Sequence, residues 1–407
     1  MNNDRIGLAI FIKSIIRDHN YSWSQYRRLQ KKKKVFFRQK KRLLLTKYKI
    51  KKINNELGYC IDEEGQLKTI VGGEPYKFEV REKDKAYNEA LYDAILETIG
   101  DWVQDTLQKK FGMVRALLPI GVTESDVHTK IYVSPDYLTN EKMMIFIPGT
   151  SHTIGIWSRR VLADKSVVEG SMIAYTQRAI EMGFSVVITN PNEVFWYKDK
   201  GVLILPKSTS EFSTIPGSES PENHIKYVFE NFVIPSGAQK IVIVANSYGG
   251  HCAIDIVQNK FDALKDRVKA IEFTASTHSI DYVMTDKMRV WVREHCRNWL
   301  MSDQEAGKEV IDVRFGCTSL SSGAELNEFV TTDVIDDVFS FIERRVVNEE
   351  FWEISDNENE DDYLEETKII ELDNELMNEI GDVREIRDIQ EKVRPELEES
   401  PDSEWLK

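Results

Sequence analysis

Apolar and polar residues follow two rhythms along this chain, and the places where the rhythm changes mark its organisation. Between residues 85 and 110, Tyr87, Ala90, Leu91, Ala94, Ile95, Ile99, Val103 and Leu107 recur at helical spacing, which predicts a helix with one buried face. Beyond it, β-branched runs alternate with helical segments. Ile131–Val133, Met143–Ile147, Ser185–Thr189, Lys240–Val244, Val268–Phe273 and Val310–Val313 read as strands, with helices over about 170–182 and across Trp291–Trp299. Strands without a polar face are covered on both sides, so the pattern predicts an α/β fold with a mostly parallel sheet flanked by helices. Ahead of this region, Gly58–Leu67 and Tyr76–Val80 read as short strands around the turn Gly72-Gly73-Glu74-Pro75. A loop-rich stretch, Asn190–Pro221, breaks the alternation and reads as a lid, a binding loop or unstructured surface.

The globular pattern fades at both ends, where charge takes over. Residues 1–55 carry 17 Lys and Arg against 2 Asp and Glu, whereas residues 347–407 carry 6 against 23, in a chain of 407 residues with net charge −14. Oppositely charged ends point to interaction arms. The run over residues 27–42 has the composition of a nuclear-import or nucleic-acid patch, because clustered cations displace counterions from phosphates; a solvated arm has the same composition. Within the acidic tail, Ile369, Leu372, Leu376, Ile380, Val383 and Ile386 predict one amphipathic helix. The expected organisation is a basic arm (1–55), a main domain (56–346) and an acidic tail (347–407).

Cys60, Cys252, Cys296 and Cys317 are too dispersed for a disulfide framework, and with the 7 histidines they make no metal-ligand spacing. No Gly-x-Gly-x-x-Gly follows the first strand of the alternating region, so no dinucleotide cofactor is expected. The apolar stretch Ile6–Ile12 is too short to span a bilayer. These features predict a protein of the nucleus or cytosol without metal, cofactor or membrane attachment.

Candidate chemistry centres on Ser247. The run Lys240–Val244 leads into Ala245-Asn246-Ser247-Tyr248-Gly249-Gly250 and then a helical segment, the pattern of a nucleophile elbow. A serine hydroxyl reacts only when an oriented base takes its proton and backbone N–H groups face the oxyanion. The amide of Tyr248 is one candidate donor. The second falls in Pro148-Gly149-Thr150-Ser151, at Gly149 or Thr150. After Ser247 the chain has His251, His278 and His295. His251 falls inside the following helix, where packing or capping is expected, and His295 falls on the Trp291–Trp299 helix. His278 closes Thr274-Ala275-Ser276-Thr277-His278 at the sheet's carboxyl edge, which makes it the candidate base. Its position is nevertheless the one where this fold expects the acid, and Arg314–Thr332 contains no histidine.

The elbow, together with Gly58-Tyr59, Glu64-Gly65-Gln66-Leu67, Gly73-Glu74-Pro75, Asn190-Pro191-Asn192-Glu193 and Trp291–Trp299, resembles the Argonaute-binding-protein domain over about Leu57–Arg345. In animals this is called family with sequence similarity 172, a cotranscriptional regulator group. The resemblance implies an α/β-hydrolase-like fold, Ser247 as nucleophile, and partners among Argonaute, chromatin or splicing proteins in the nucleus. It implies departures as well. Some relatives carry Asp where Ala275 stands, a histidine in the loop that here runs Ser322–Asn327, placing Asn327 at the base position, and His-Gly where Pro148-Gly149 stands.

Two functions follow as expectations. One is a non-catalytic or weakly catalytic hydrolase-fold interaction protein in small-RNA-linked or cotranscriptional regulation. The other is a serine hydrolase acting on a small ester or acyl substrate, with Ser247 as nucleophile and His278 as an unusually placed base. Direct nucleic-acid binding through residues 27–42 is compatible with either.

Overall fold

The computed structural model describes residues 57–62, 64–150, 153–203, 205 and 211–347. The basic arm, the acidic tail with its expected helix, and Ser151, Ser208 and Ser210 lie outside the described residues. The chain divides between Ile342 and Glu343, and the larger unit holds all that follows.

A small antiparallel pair, β1 (Tyr59–Ile61) and β2 (Leu67–Thr69), precedes a long helix, Lys85–Phe111, capped by the Asp84 side chain and ended by Gly112 in the left-handed conformation. The main sheet then begins with β3 (Val114–Leu118), β4 (Thr129–Val133), β5 (Lys142–Ile147) and β6 (Ser185–Ile188). An excursion of three short strands follows, β7 (Phe195–Trp196), β8 (Gly201–Val202) and β9 (Ser213–Thr214). The main sheet resumes with β10 (Lys240–Asn246), β11 (Val268–Thr274), β12 (Cys296–Leu300) and β13 (Thr318–Ser321). From edge to edge its order is β3-β4-β6-β5-β10-β11-β12-β13, and β4 alone runs antiparallel to its neighbours.

The central strands form because nothing in them asks for water. Met143 to Ile147 on β5 and Ile241 to Ala245 on β10 are all fully buried. Their side chains alternate between two covered faces. Met143, Ile145, Ile147, Ile241, Ile243 and Ala245 join the core under the helices Pro221–Val228, Tyr248–Asn259 and Asp286–His295. On the opposite face Phe146 meets Trp157 and Tyr175, ring centroids 5.6 and 5.9 Å away. Each fully buried side chain of this size contributes about 1.5–3 kcal/mol relative to exposure.

Several expectations need correction. Tyr76–Val80 forms no strand, and only a single bridge links Pro75 to Lys68. The helix expected near 170–182 is present as Ile173–Glu181, and a separate short helix, Val167–Gly170, precedes it. The Trp291–Trp299 helix stops at His295, and Cys296 to Leu300 are a sheet strand. Val310–Val313 is not a strand: Ile311 and Val313 are 91% and 79% exposed, so the β-branched run has no face to pack on. The true last strand is Thr318–Ser321, and the Asn190–Pro221 stretch carries the small antiparallel sheet β8-β7-β9.

The Tyr248–Asn259 helix lies so close to β5 that a Cβ on Gly249 would sit 2.4 Å from the Ile147 carbonyl oxygen. Gly249→Ala therefore forces helix and strand apart and destabilises the domain by about 1–3 kcal/mol. The expected readout is a lower urea midpoint at unchanged slope.

Candidate functional site

Ser247 stands at the carboxyl end of the central strand with φ 50° and ψ −122°. A non-glycine residue with positive φ is strained by about 1–2 kcal/mol and persists only where its surroundings over-determine it. Here they do. The Ser247 N–H donates to the Thr274 carbonyl at 3.0 Å, and the Ser247 carbonyl accepts from the amides of Gly250 at 3.0 Å and Thr277 at 3.2 Å. A Cβ on Gly250 would lie 1.9 Å from Ser276 Oγ, so only glycine lets this turn meet the end of β11. Asn246 adds a latch, donating from Nδ2 to the Thr274 carbonyl at 3.1 Å and to Thr331 Oγ1 at 2.8 Å.

Gly149 closes on the serine from the other side. A Cβ there would lie 2.9 Å from both Ser247 Cβ and Asn246 Oδ1. Asn192 Nδ2 donates to the Gly149 carbonyl at 2.8 Å. In a trans peptide the carbonyl and the next N–H point oppositely, so this bond also fixes the direction of the Thr150 amide. The Tyr248 amide is the first of its helix and has no intrahelical acceptor. Its phenol donates to Glu222 Oε1, and burial first, then this bond, pushes the phenol pKa upward. His251 stacks on the Tyr248 ring at 5.1 Å, with Nε2 4.0 Å from the same carboxylate.

Above Ser247 lies a cavity of about 760 Å³. Asn246, Ser247, Ala275, Thr277 and Asn327 line one side; Tyr76, Phe78, Tyr92 and Trp157 form an aromatic wall, with Arg159 and Arg160 beside it. The three positions at which the family resemblance implies a nucleophile, an acid and a base thus open onto one space, occupied here by serine, alanine and asparagine. Ala275 also has a positive φ, 48°, a conformation that Asp and Asn tolerate better than alanine does.

The candidate base His278 is buried at the sheet's carboxyl edge. Its ring is 3% exposed and stacks on Phe273 at 3.9 Å. Nε2 lies 3.1 Å from the Phe315 carbonyl, which only accepts, so Nε2 carries the proton and Nδ1 accepts from the Ser276 hydroxyl at 2.7 Å. Both nitrogens are committed to the core and neither is left for Ser247. Burial holds its pKa down at about 4, partly offset by the bond to Phe315. His224 is a parallel case: Nε2 accepts from the Asn190 amide at 3.0 Å, Nδ1 faces Ser218 Oγ at 2.9 Å, and burial lowers its pKa to about 3. His295 Nδ1 sits 2.9 Å from the Trp291 carbonyl. Ser247 Oγ has no hydrogen-bond partner among the described residues.

Among the described residues no His, Cys, Asp and Glu side chains gather as a metal site, and no helix is long and apolar enough to cross a membrane. The site residues that the sequence did not reveal are the aromatic wall and the Thr331 latch. They come from segments far apart in the chain, with no local motif to announce them.

A mostly parallel sheet whose second strand alone is reversed, with a serine held at positive φ between its central strand and the next helix, defines a protein of the α/β-hydrolase fold. Within that class the chain belongs to the Arb2 family, whose Arb2 domain matches residues 52–306. It is 28% identical to the cotranscriptional regulator ARB2A homolog of Xenopus tropicalis, over 70% of this chain and 78% of that protein. It is 27% identical to cotranscriptional regulator ARB2A of Homo sapiens, again over 70% and 78%. Among solved structures, a histone deacetylase from Saccharomyces cerevisiae aligns with TM-score 0.40 and 12% identity, covering 61% of this chain and 97% of that one.

The two core histidines predict an acid-labile fold. Each binds its proton less readily folded than unfolded, where the pKa is near 6.5. Stability is complete above about pH 6.5 and is lost as pH falls toward the folded values near 3 and 4. Between pH 7 and 5 each histidine is expected to remove about 2 kcal/mol. Urea midpoints measured across that range check this, and His224→Gln should flatten the slope.

Proposed function

We propose that this chain is a hydrolase-fold interaction protein of cotranscriptional or small-RNA-linked gene regulation, non-catalytic or weakly catalytic, that works in the nucleus. The observation carrying this reading is the cavity over Ser247, where Ala275 and Asn327 stand at the implied acid and base positions. His278, the remaining candidate base, is bound to Ser276 and Phe315 instead. Losing the base of a triad lowers turnover by about 10⁶-fold, even where oxyanion donors remain. The names of the relatives support the regulatory half. In this reading Argonaute, chromatin or splicing proteins are the partners, residues 27–42 contact nucleic acid, and the arm and tail flank a single hydrolase-like domain.

A second reading, a serine hydrolase acting on a small ester or acyl substrate, is favoured by one observation: the strained backbone of Ser247 is kept, with Gly149, Thr150 and Tyr248 beside it as oxyanion donors.

A fluorophosphonate probe separates the two. The full chain is expected to remain unlabelled from neutral to alkaline pH, and labelling that disappears in Ser247→Ala would instead establish the hydrolase. Pull-down of the tagged full chain is expected to recover Argonaute, chromatin or splicing proteins, and a preparation that recovers none of these refutes the regulatory reading.

A further inference from the structure

We propose that the basic arm docks on the main domain of its own chain, with its apolar stretch Leu43–Ile53 on the strip Ile70–Val80 and its cationic run 27–42 along the acidic side of the Lys85–Phe111 helix. The strip calls for an occupant. From Ile70 to Lys83 only Tyr76 is buried, and Ile70, Val71, Phe78 and Val80 are 42%, 89%, 45% and 43% exposed. Apolar residues scattered singly over a surface need no explanation, but a row of them along one short segment marks a contact surface. The junction with the arm selects what covers it. Gly58, which leads into β1, accepts at its carbonyl from the Ile70 amide at 2.9 Å, so the arm joins the domain against the strip itself.

The order of chemistries along the arm matches their order along the surface. Leu43, Leu44, Leu45, Tyr48, Ile50 and Ile53 come shortly before the junction, and residues 27–42, with 10 Lys and Arg and no Asp or Glu, lie farther from it. On the domain, rings lead from the junction to the long helix: Tyr59 meets Tyr76 at 5.4 Å, Tyr76 meets Tyr92 at 6.2 Å, and Phe78 meets Tyr92 at 5.7 Å. Past Tyr92, the exposed Asp93, Glu97, Asp101 and Asp105 follow at four-residue spacing, on one side of the helix. Like charges so spaced repel each other, and a cationic segment laid along them relieves this. Arg159, Lys200 and Lys109 pair with Asp93, Glu97 and Asp105, but exposed pairs of this kind are weak. Asp101 forms no ion pair among the described residues, and burial, then Glu97, raises its pKa. The cleft beside the row keeps a surplus, 6 carboxylates against 4 Lys and Arg. Reach is sufficient: the chain from Arg42 to Gly58 spans up to about 55 Å, and the row from Asp93 to Asp105 is about 18 Å long. The docking stands whether or not the run also meets nucleic acid.

The test treats the full chain with a zero-length carbodiimide at low salt, in an equal mixture of isotope-labelled and unlabelled protein. Amide cross-links from Lys31, Lys34, Lys40 and Lys41 to Asp93, Glu97, Asp101 or Asp105 are expected within single chains, falling at least about fivefold at about 1 M salt, where charges are screened beyond about 3 Å. Cross-links from these lysines to the carboxylates of residues 347–407 instead would assign the run to the tail. Cross-links between labelled and unlabelled chains would assign it to a second copy. Either outcome overturns the proposal, as does the absence of cross-links to the row. Val71→Asp with Val80→Asp, both on exposed side chains, tests the apolar half of the contact. The pair is expected to speed tryptic cleavage after Lys47, Lys49, Lys51 and Lys52 by at least about tenfold, with little change in the thermal midpoint. Cleavage at the wild-type rate overturns the proposal.

Discussion

The backbone around Ser247 is the constraint on which the rest of the domain depends. Its amide is tied to the end of the neighbouring strand at Thr274, and its carbonyl takes two further amides, so the peptide cannot relax to negative φ without breaking the joint between two central strands. That joint demands glycine at 249 and 250, because backbone and side-chain atoms occupy the space where a Cβ would go. It also demands polar partners at the strand ends, where the hydroxyls of Thr274 and Thr331 lie 2.7 Å apart and Asn246 bridges toward them. The sheet's carboxyl edge is therefore rigid, and it carries the cavity floor.

The same edge shows how a fold keeps its architecture while spending its titratable groups elsewhere. His224 and His278 are used as neutral hydrogen-bonding posts, one fastening the loop after β6 and the other the segment at Phe315. A histidine so placed rigidifies, but it cannot shuttle protons near neutrality, because burial holds its pKa at about 3 or 4. Tyr248 likewise sends its phenol away to Glu222.

How much of this was legible in the chain depended on how completely each element is buried. The runs Met143–Ile147 and Lys240–Val244 announced themselves because Met143 to Ile147 and Ile241 to Val244 are all fully buried. The outer strand Thr318–Ser321 went unseen because Thr-Ser-Leu-Ser has neither an apolar run nor β-branched density, and its pairing comes from β12. The β-branched Val310–Val313 misled for the converse reason, propensity without a surface to pack on. At the site, Ser247 was readable from the glycines that follow it, since their necessity is local. His278 was located at the correct edge, yet which way its ring turned was decided by Phe273 and Phe315, which no spacing rule links to it.

Ala275 keeps a left-handed backbone that its own side chain does not need. In the genetic code every alanine codon lies a single base from a carboxylate, and every asparagine codon a single base from histidine. Positions 275 and 327 are thus separated from an acid and a base by very short mutational steps, on a scaffold already shaped to receive them.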